Sequence, residues 1–362
     1  MSKWEYTEQE LWRFGVNGDA IFHVFSTVAV GQTVLVFAEA RRGDGTDNQC
    51  PHDIRMRKSV DGGRTFDEQR CVVPSYEAHI YLNGTALYDA EIGRLFLFYS
   101  ENIEKLRAEM YLIYSDDLGE TWSEPRYMTP VFDGTDAPSF NIAGPGHGIQ
   151  LKHGPHKGRL LMQCWHRNAY RKYPDIERVL CTHLIYSDDH GASWQPIDCM
   201  GYEHQTNESR LVETKNGLFW HFRTNSTYTL SCRSMDDGLT WSPMEKLELP
   251  PRRKCDVGAI GLAAPKKGYE DMVLLSRVGD EEKRINMEIR ISYDGGESFP
   301  DVFYLMQGDA MPGYSDMCII EEEEPVIGLL HCRHNHVFFS RISLQTLTGG
   351  KYENTTRTCW LQ

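Results

Sequence analysis

Several short segments combine residue types that could do chemistry. These are "FAEARRGDGTDNQC" (37–50), "NESRLVE" (207–213), "HFRTN" (221–225), "EKRINMEIR" (282–290), "GYSDM" (313–317) and "HCRHNH" (331–336). Arginine offers a planar, permanently charged fork that can bond a carboxylate through two N–H donors. A carboxylic acid can protonate a leaving group. A phenol, with an ordinary pKa of about 10, becomes a nucleophile only with a base beside it. His334 and His336 share a strand face at a spacing a metal could use, but a polar strand or turn is the simpler account of them. Cys50 stands near Asp47 with no neighbour in sequence that would favour a thiolate.

These segments are scattered along 362 residues, so a scaffold must gather them. The scaffold announces itself as a repeat. S-x-D-x-G-x-[ST]-[WF] occurs five times, beginning at Ser59, Ser115, Ser187, Ser234 and Ser292. Each copy follows a short run rich in β-branched and aromatic residues, such as "MYLIYS" or "MEIRIS", that alternates with period two. The box is a hairpin turn: Asp bonds backbone N–H groups, Gly supplies the unusual backbone angles, and Trp or Phe folds back as an apolar plug. The boxes are folding devices on a rim, not catalytic groups. Their separations leave room for about six units of the ~40–50 residues that one four-stranded sheet needs.

Further strand-like runs fill the intervals: "QTVLVFAEA", "GRLFLFYS", "GRLLMQCW", "GLFWHFRT", "DMVLLSRV" and "EPVIGLLHCR". Helical periodicity is hinted at only in "TEQELW" and "ENIEKLRAEM". An all-β, six-bladed propeller follows, formed by radial closure of four-stranded sheets. No stretch has linker composition, so residues 1–362 are expected to be one domain. The strands of "VFFSRISLQTL" are expected to share a blade with N-terminal strands and close the ring.

The composition, 40% hydrophobic and 25% charged, is that of a globular protein, and the net charge of −14 disfavours nucleic acid as a partner. No apolar run is long enough to span a membrane and no secretory leader is visible, which predicts a cytoplasmic protein without membrane insertion. The ten cysteines form no C-x-x-C pair and are expected to be reduced and mostly buried. "EEEE" (321–324) reads as a solvated hairpin tip.

With its boxes, "FAEARRGDGTDNQCPHDIRMRKS", "GPGHGIQL", "NESRLVE…GLFWHFRTN", "RINMEIRISYDGG" and "GYSDM" in order, the chain resembles the sialidase (exo-α-neuraminidase) superfamily over nearly its whole length. The resemblance implies a retaining exo-glycosidase that cleaves terminal α-ketosides of sialic acids through a tyrosyl intermediate, an exception to the usual two-carboxylate rule. Residue by residue, Tyr314 matches the nucleophile, Glu208 its base and Asp47 the acid/base. The loop of Asp47 is one residue longer than many family versions, which leaves Asp44 as an alternative. Arg223 and Arg284 match two members of the triad that clamps the substrate carboxylate, and Arg41 a further family arginine; strand alternation lets only one of Arg41 and Arg42 point inward. His147 in "GPGHGIQL" resembles a segment that lines the site, though its glycines suit close backbone packing. No cofactor or metal is implied. The implied partner is a sialylated glycan or one bearing another ulosonic acid.

The pattern breaks at the first triad arginine. In "IFHVFSTVAV" (21–30), His23 stands where that arginine is expected and Phe25 where a proline is expected; Arg13, ten residues upstream, is the other candidate. Histidine cannot make the bidentate pair. The departure leaves three readings: an active sialidase with a modified clamp, an enzyme for another 2-keto-3-deoxy sugar acid such as Kdo or a bacterial nonulosonic acid, or a carbohydrate-binding propeller without catalysis.

Overall fold

The computed structural model describes residues 5–351 except 17, 48–49, 77–78, 105–106, 136–139, 168–178, 263–270, 309 and 323. Six antiparallel sheets form a six-bladed β-propeller. The first blade takes its four strands, from the axis outward, from Asp19–Val30, Thr33–Arg42, His52–Ser59 and Arg70–Val73. The second runs from Tyr81 to Tyr127, the third from Asn141 to Met200, the fourth from Ser209 to Lys246 and the fifth from Gly258 to Tyr304. In the sixth, Ser315–Ile320, Val326–Arg333 and His336–Ser343 are joined on the outside by Tyr6–Arg13. The expected closure is therefore observed, in register from Tyr6 opposite Ile342 to Arg13 opposite His336.

The core lies between blades. Along Thr33–Arg42, Val34, Val36 and Ala38 pack toward the sixth blade while Leu35 and Phe37 pack toward the second. Side chains alternate across a strand, so a strand covered on both faces must be apolar at every position. The six runs noted in the sequence supply the second strands of the six blades. Outermost strands such as Arg126–Tyr127 and Glu245–Lys246 are exposed and polar.

All five boxes adopt one geometry. At Ser115 the hydroxyl donates to Asp117 and accepts from Gly119 N–H, and Asp117 accepts from Thr121 N–H and Oγ1 at 2.9 and 2.6 Å. The bonds recur at Ser59, Ser187, Ser234 and Ser292. The plugs seal neighbouring blades: Trp122 meets Phe37, Trp194 meets Phe96 and Phe98, Phe299 meets Phe219, and Phe66 meets Phe339. Trp241 packs on Trp220 of its own blade. In the sixth blade the same corner carries Ser343, which instead caps a short helix, Leu344–Thr348, by accepting from Thr346 N–H.

Three local expectations are corrected. "TEQELW" lies in the outer strand Tyr6–Arg13, and the described residues of "ENIEKLRAEM" belong to the paired strands Arg94–Glu104 and Arg107–Ser115, where sheet pairing overrides weak helical periodicity. "SLQTL" in turn leaves the strand for that helix. Glu322, expected in a solvated tip, is bound by Arg64 and by Arg341 at 2.7 Å; Glu323 lies outside the described residues. Seven of eight described cysteines are buried and all eight are free, Cys71 being the exposed one; Cys359 and the side chain of Cys199 lie outside the described residues. No helix among the described residues is long and apolar enough to cross a membrane.

Candidate active site

In each blade the first strand begins, the second ends and the third begins at one end of the ring; the boxes occupy the other end. Seven candidate residues map to the first of these ends. Glu208 and Tyr314 immediately precede innermost strands, Arg223 immediately follows a second strand, and Asp47 and Arg284 lie in connections between second and third strands. His23 and Arg41 sit near that end of the first blade.

Tyr314 and Glu208 are both about nine-tenths buried. The Tyr314 hydroxyl donates to Glu208, Arg223 donates to the other Glu208 oxygen, and Arg223 Nη1 also lies 2.9 Å from the Tyr314 hydroxyl. Burial, and then the Glu208 charge, push the Tyr314 phenol well above its ordinary pKa, against the opposing pull of Arg223. The resting group is a neutral phenol bonded to Glu208. Burial works against the Arg223 charge, but Glu208 and Tyr314 hold it protonated.

His23 stands edge-on to Tyr314, with ring centroids 4.3 Å apart. A β-bulge places it there: the register between the first two strands slips between His23 and Phe25, and the intervening Val24 has φ 51°. A β-branched residue in the left-handed region is strained, and bulges commonly re-aim a side chain. Burial, then the charges of Arg41, Arg284 and Arg223, lower the His23 pKa well below its ordinary value, so the imidazole is neutral. Arg13 is excluded from the site; it lies on the outermost strand and pairs with Glu10.

Arg41 points inward and Arg42 outward, where Arg42 meets Asp53 and Ser75. Arg41 donates twice to Glu39, at 2.9 and 3.1 Å, and once to Asp47. Asp47 is largely exposed, on the solvent side of the cluster. Asp44 is turned into its own loop, accepting from Thr46 N–H and Oγ1 at 3.1 and 2.9 Å. Arg284 has no carboxylate within ion-pair distance among the described residues, so its fork is available to a ligand. It lines an open pocket of about 910 Å³ that His23 also borders. His334 lies in a turn of that pocket and His336 pairs with Glu10, and no cluster of three metal-ligating side chains occurs among the described residues. Cys50 is buried, its thiol 3.2 Å from the Thr46 carbonyl.

Two groups escaped the sequence reading. Glu39, fully buried, accepts from Arg41 and from Asn83 N–H at 2.7 Å, tying the first and second blades beside the site. Beneath the Tyr314–Glu208 pair runs a buried polar column. Arg210 bonds Asp256 at 2.5 Å and approaches Asp316, and Asp316 meets His147 Nδ1 at 3.0 Å. His147 thus supports the axis from below instead of lining the Tyr314 end. The signal was present: Arg210 is two residues after Glu208 and Asp316 two after Tyr314, so each must share its partner's strand face. Burial raises the Asp256 pKa to about 6, against the Arg210 charge. The glycines of "GPGHGIQL" make room, since a Cβ on Gly146 would fall 2.1 Å from Arg210 Nε.

A closed ring of six sheets, with a phenol, a carboxylate and cationic side chains from separate blades at one axial end, defines a propeller of the sialidase kind. The chain belongs to the BNR repeat-like domain family, whose signature covers residues 32–332. It is 27% identical to a sialidase of Micromonospora viridifaciens over 95% of this chain and 55% of that one. It is 26% identical to sialidase-3 of Mus musculus over 83% of this chain and 84% of that one. Among solved structures, the Hadza microbial sialidase superposes with a TM-score of 0.81 at 21% identity, covering 94% of this chain and 69% of that one. The chain therefore spans little more than half the length of the Micromonospora relative.

Proposed function

We propose that this chain is a retaining exo-glycosidase that hydrolyses terminal α-ketosidically linked sialic acids. The observation that carries the reading is the contact of the Tyr314 hydroxyl with both Glu208 and Arg223 on the propeller axis. A phenol buried against a carboxylate and a guanidinium is costly to keep for packing alone. It is well arranged to lose its proton to Glu208 as its oxygen attacks an anomeric carbon.

In this reading Arg284 and Arg223 receive the substrate carboxylate, with His23 taking the third place as a single hydrogen-bond donor. Tyr314 Oη bonds to the anomeric carbon while the bond to the leaving oxygen breaks. Glu208 accepts the phenol proton, and Asp47 donates a proton to the leaving oxygen. A neutral nucleophile avoids the repulsion that Asp or Glu would meet beside the substrate carboxylate. Water, deprotonated by Asp47, then attacks the same carbon from the face the aglycone left. The tyrosyl bond breaks and Glu208 returns the proton to the phenol.

The test is a panel of ulosonic-acid ketosides, sialosides and Kdo-sides together, with product configuration followed by NMR. Release of the α-anomer of sialic acid is expected. Turnover of Kdo-sides or nonulosonic-acid glycosides alone would move the substrate class. Release of an anhydro sugar would replace water by a hydroxyl of the sugar as the second nucleophile. Sugar binding with no turnover of any member would leave a carbohydrate-binding propeller.

A further inference from the structure

We propose that the pocket beside His23 and Arg284 is an aglycone subsite, built for an apolar leaving group instead of a further sugar. The inference rests on the glycosidase reading and specifies what that site cleaves. The pocket, about 910 Å³, is bounded by Phe14, Ile21 and Phe22 from the first blade's entry and by Ile285, Met311 and Pro312 from the fifth and sixth blades. That volume suits a ligand far larger than a carboxylate group.

Its position ties it to the chemistry at two points. Arg284 and His23, placed at the substrate carboxylate, form one wall. Ile21 forms another, and the loop carrying Asp47 packs on Ile21, since a Cβ at Gly45 would lie 2.5 Å from Ile21 Cδ1. A group attached to the oxygen that Asp47 protonates would start next to this wall.

Its chemistry narrows the occupant. Among the described residues no carboxylate lines it, and the polar side chains they offer besides Arg284 and His23 are Lys283, His334 and Asn335. A second sugar would bring several hydroxyls that need partners, and unpaired polar groups against an apolar wall are costly. An alkyl or aryl chain brings none. Met311 leaves 62% of its surface exposed at the rim with φ 45°, an apolar side chain held toward solvent in a strained backbone. Covering it with a ligand would bury that surface. The short imidazole at position 23 borders the same space, which a longer side chain there would reduce.

The experiment uses sulfur-linked ketosides of N-acetylneuraminic acid, which bind without being cleaved. Calorimetry on the intact protein would compare the octyl and the methyl thioketoside. Each methylene removed from water is worth roughly a three- to fourfold gain, so the octyl compound should bind at least tenfold more tightly. In M311N, where Asn tolerates the left-handed backbone, and in F14A, that advantage should shrink toward parity while methyl affinity stays unchanged. Equal affinity of the two compounds for the wild type overturns the subsite, as does an octyl advantage undiminished in both variants. If the octyl advantage is present but no oxygen-linked ketoside is turned over, the subsite stands and the hydrolase reading fails. If the methyl compound does not bind at all, both fall together.

Discussion

The His23 imidazole meets the Tyr314 ring edge-on at 4.3 Å, and the strained Val24 bulge in the innermost strand holds it there. The residue that departs from the family pattern is therefore in contact with the proposed nucleophile. A neutral imidazole among three arginines offers one donor where a guanidinium would offer a pair. His23→Arg should lower KM for sialosides roughly ten- to a hundredfold, the worth of one charge-assisted contact of about 1.5–3 kcal/mol. The adjoining pocket leaves room for the longer side chain. Steady-state kinetics with the methyl sialoside, whose aglycone does not fill that pocket, check this; an unchanged KM and specificity would remove His23 from the carboxylate clamp.

Tyr314→Phe removes the proposed attacking oxygen and should abolish turnover while the thermal unfolding midpoint stays within a few degrees of wild type. Glu208→Gln keeps the shape but not the proposed base. Turnover should fall by about 10²–10⁴, and Arg223 would lose the charge that pairs it. Comparing kcat with the fluorescence-detected unfolding curve of each variant separates lost chemistry from lost fold. Normal turnover by Tyr314→Phe would end the nucleophile assignment.

Gly146→Ala should damage activity from a distance. The added methyl would strike Arg210, and Gly146 has φ 87°, unfavourable for alanine. Arg210 anchors the column under Glu208 and Tyr314, so kcat should drop at least tenfold with loss of stability. Urea unfolding and kcat together report the outcome; wild-type values for both would show that the column can shift freely.

Stability should weaken in mild acid. Burial, then Arg333, lowers the His331 pKa to about 3, against about 6.5 in an unfolded chain. The unfolded state therefore binds a proton that the folded state refuses between these values. Stability is full above pH 6.5 and falls on acidification, with a limiting slope of about 1.4 kcal/mol per pH unit for this one group. His23 and His221, also lowered by burial, act in the same direction. Urea midpoints at pH 7 and pH 5 should differ, and His331→Gln should narrow the difference. An equal difference in that variant would assign the acid sensitivity elsewhere.

The fold was legible because its devices are local. Ser, Asp, Gly and Thr close each box through bonds spanning four residues, and the six apolar second strands declare themselves by composition. Tyr314, Glu208, Arg223 and His23 were indicated by the resemblance, His23 as the departure from it, and they do come into contact. What stayed hidden depends on neighbours distant in sequence. The sequence does not reveal that Arg41 is occupied by Glu39 and Asp47 while Arg284 is open, because those pairings depend on side-chain reach. Nor does it reveal that Val24 forms a bulge, because nothing in "FHVF" favours a left-handed valine.

The pairing of Tyr6–Arg13 with His336–Ser343 has a kinetic consequence. On a ribosome the edge strand of the sixth blade emerges before the other five blades and must wait for its partner until they have been made. Five blades can condense from contacts within themselves and with the blade before, yet the sixth is completed only by the strand pairing of greatest sequence separation, and the first packs on it across a gap almost as long. Such contacts are slow to form. Circularly permuting the chain within the Asp-box turns would move that late step to another blade and make the order of assembly experimentally adjustable.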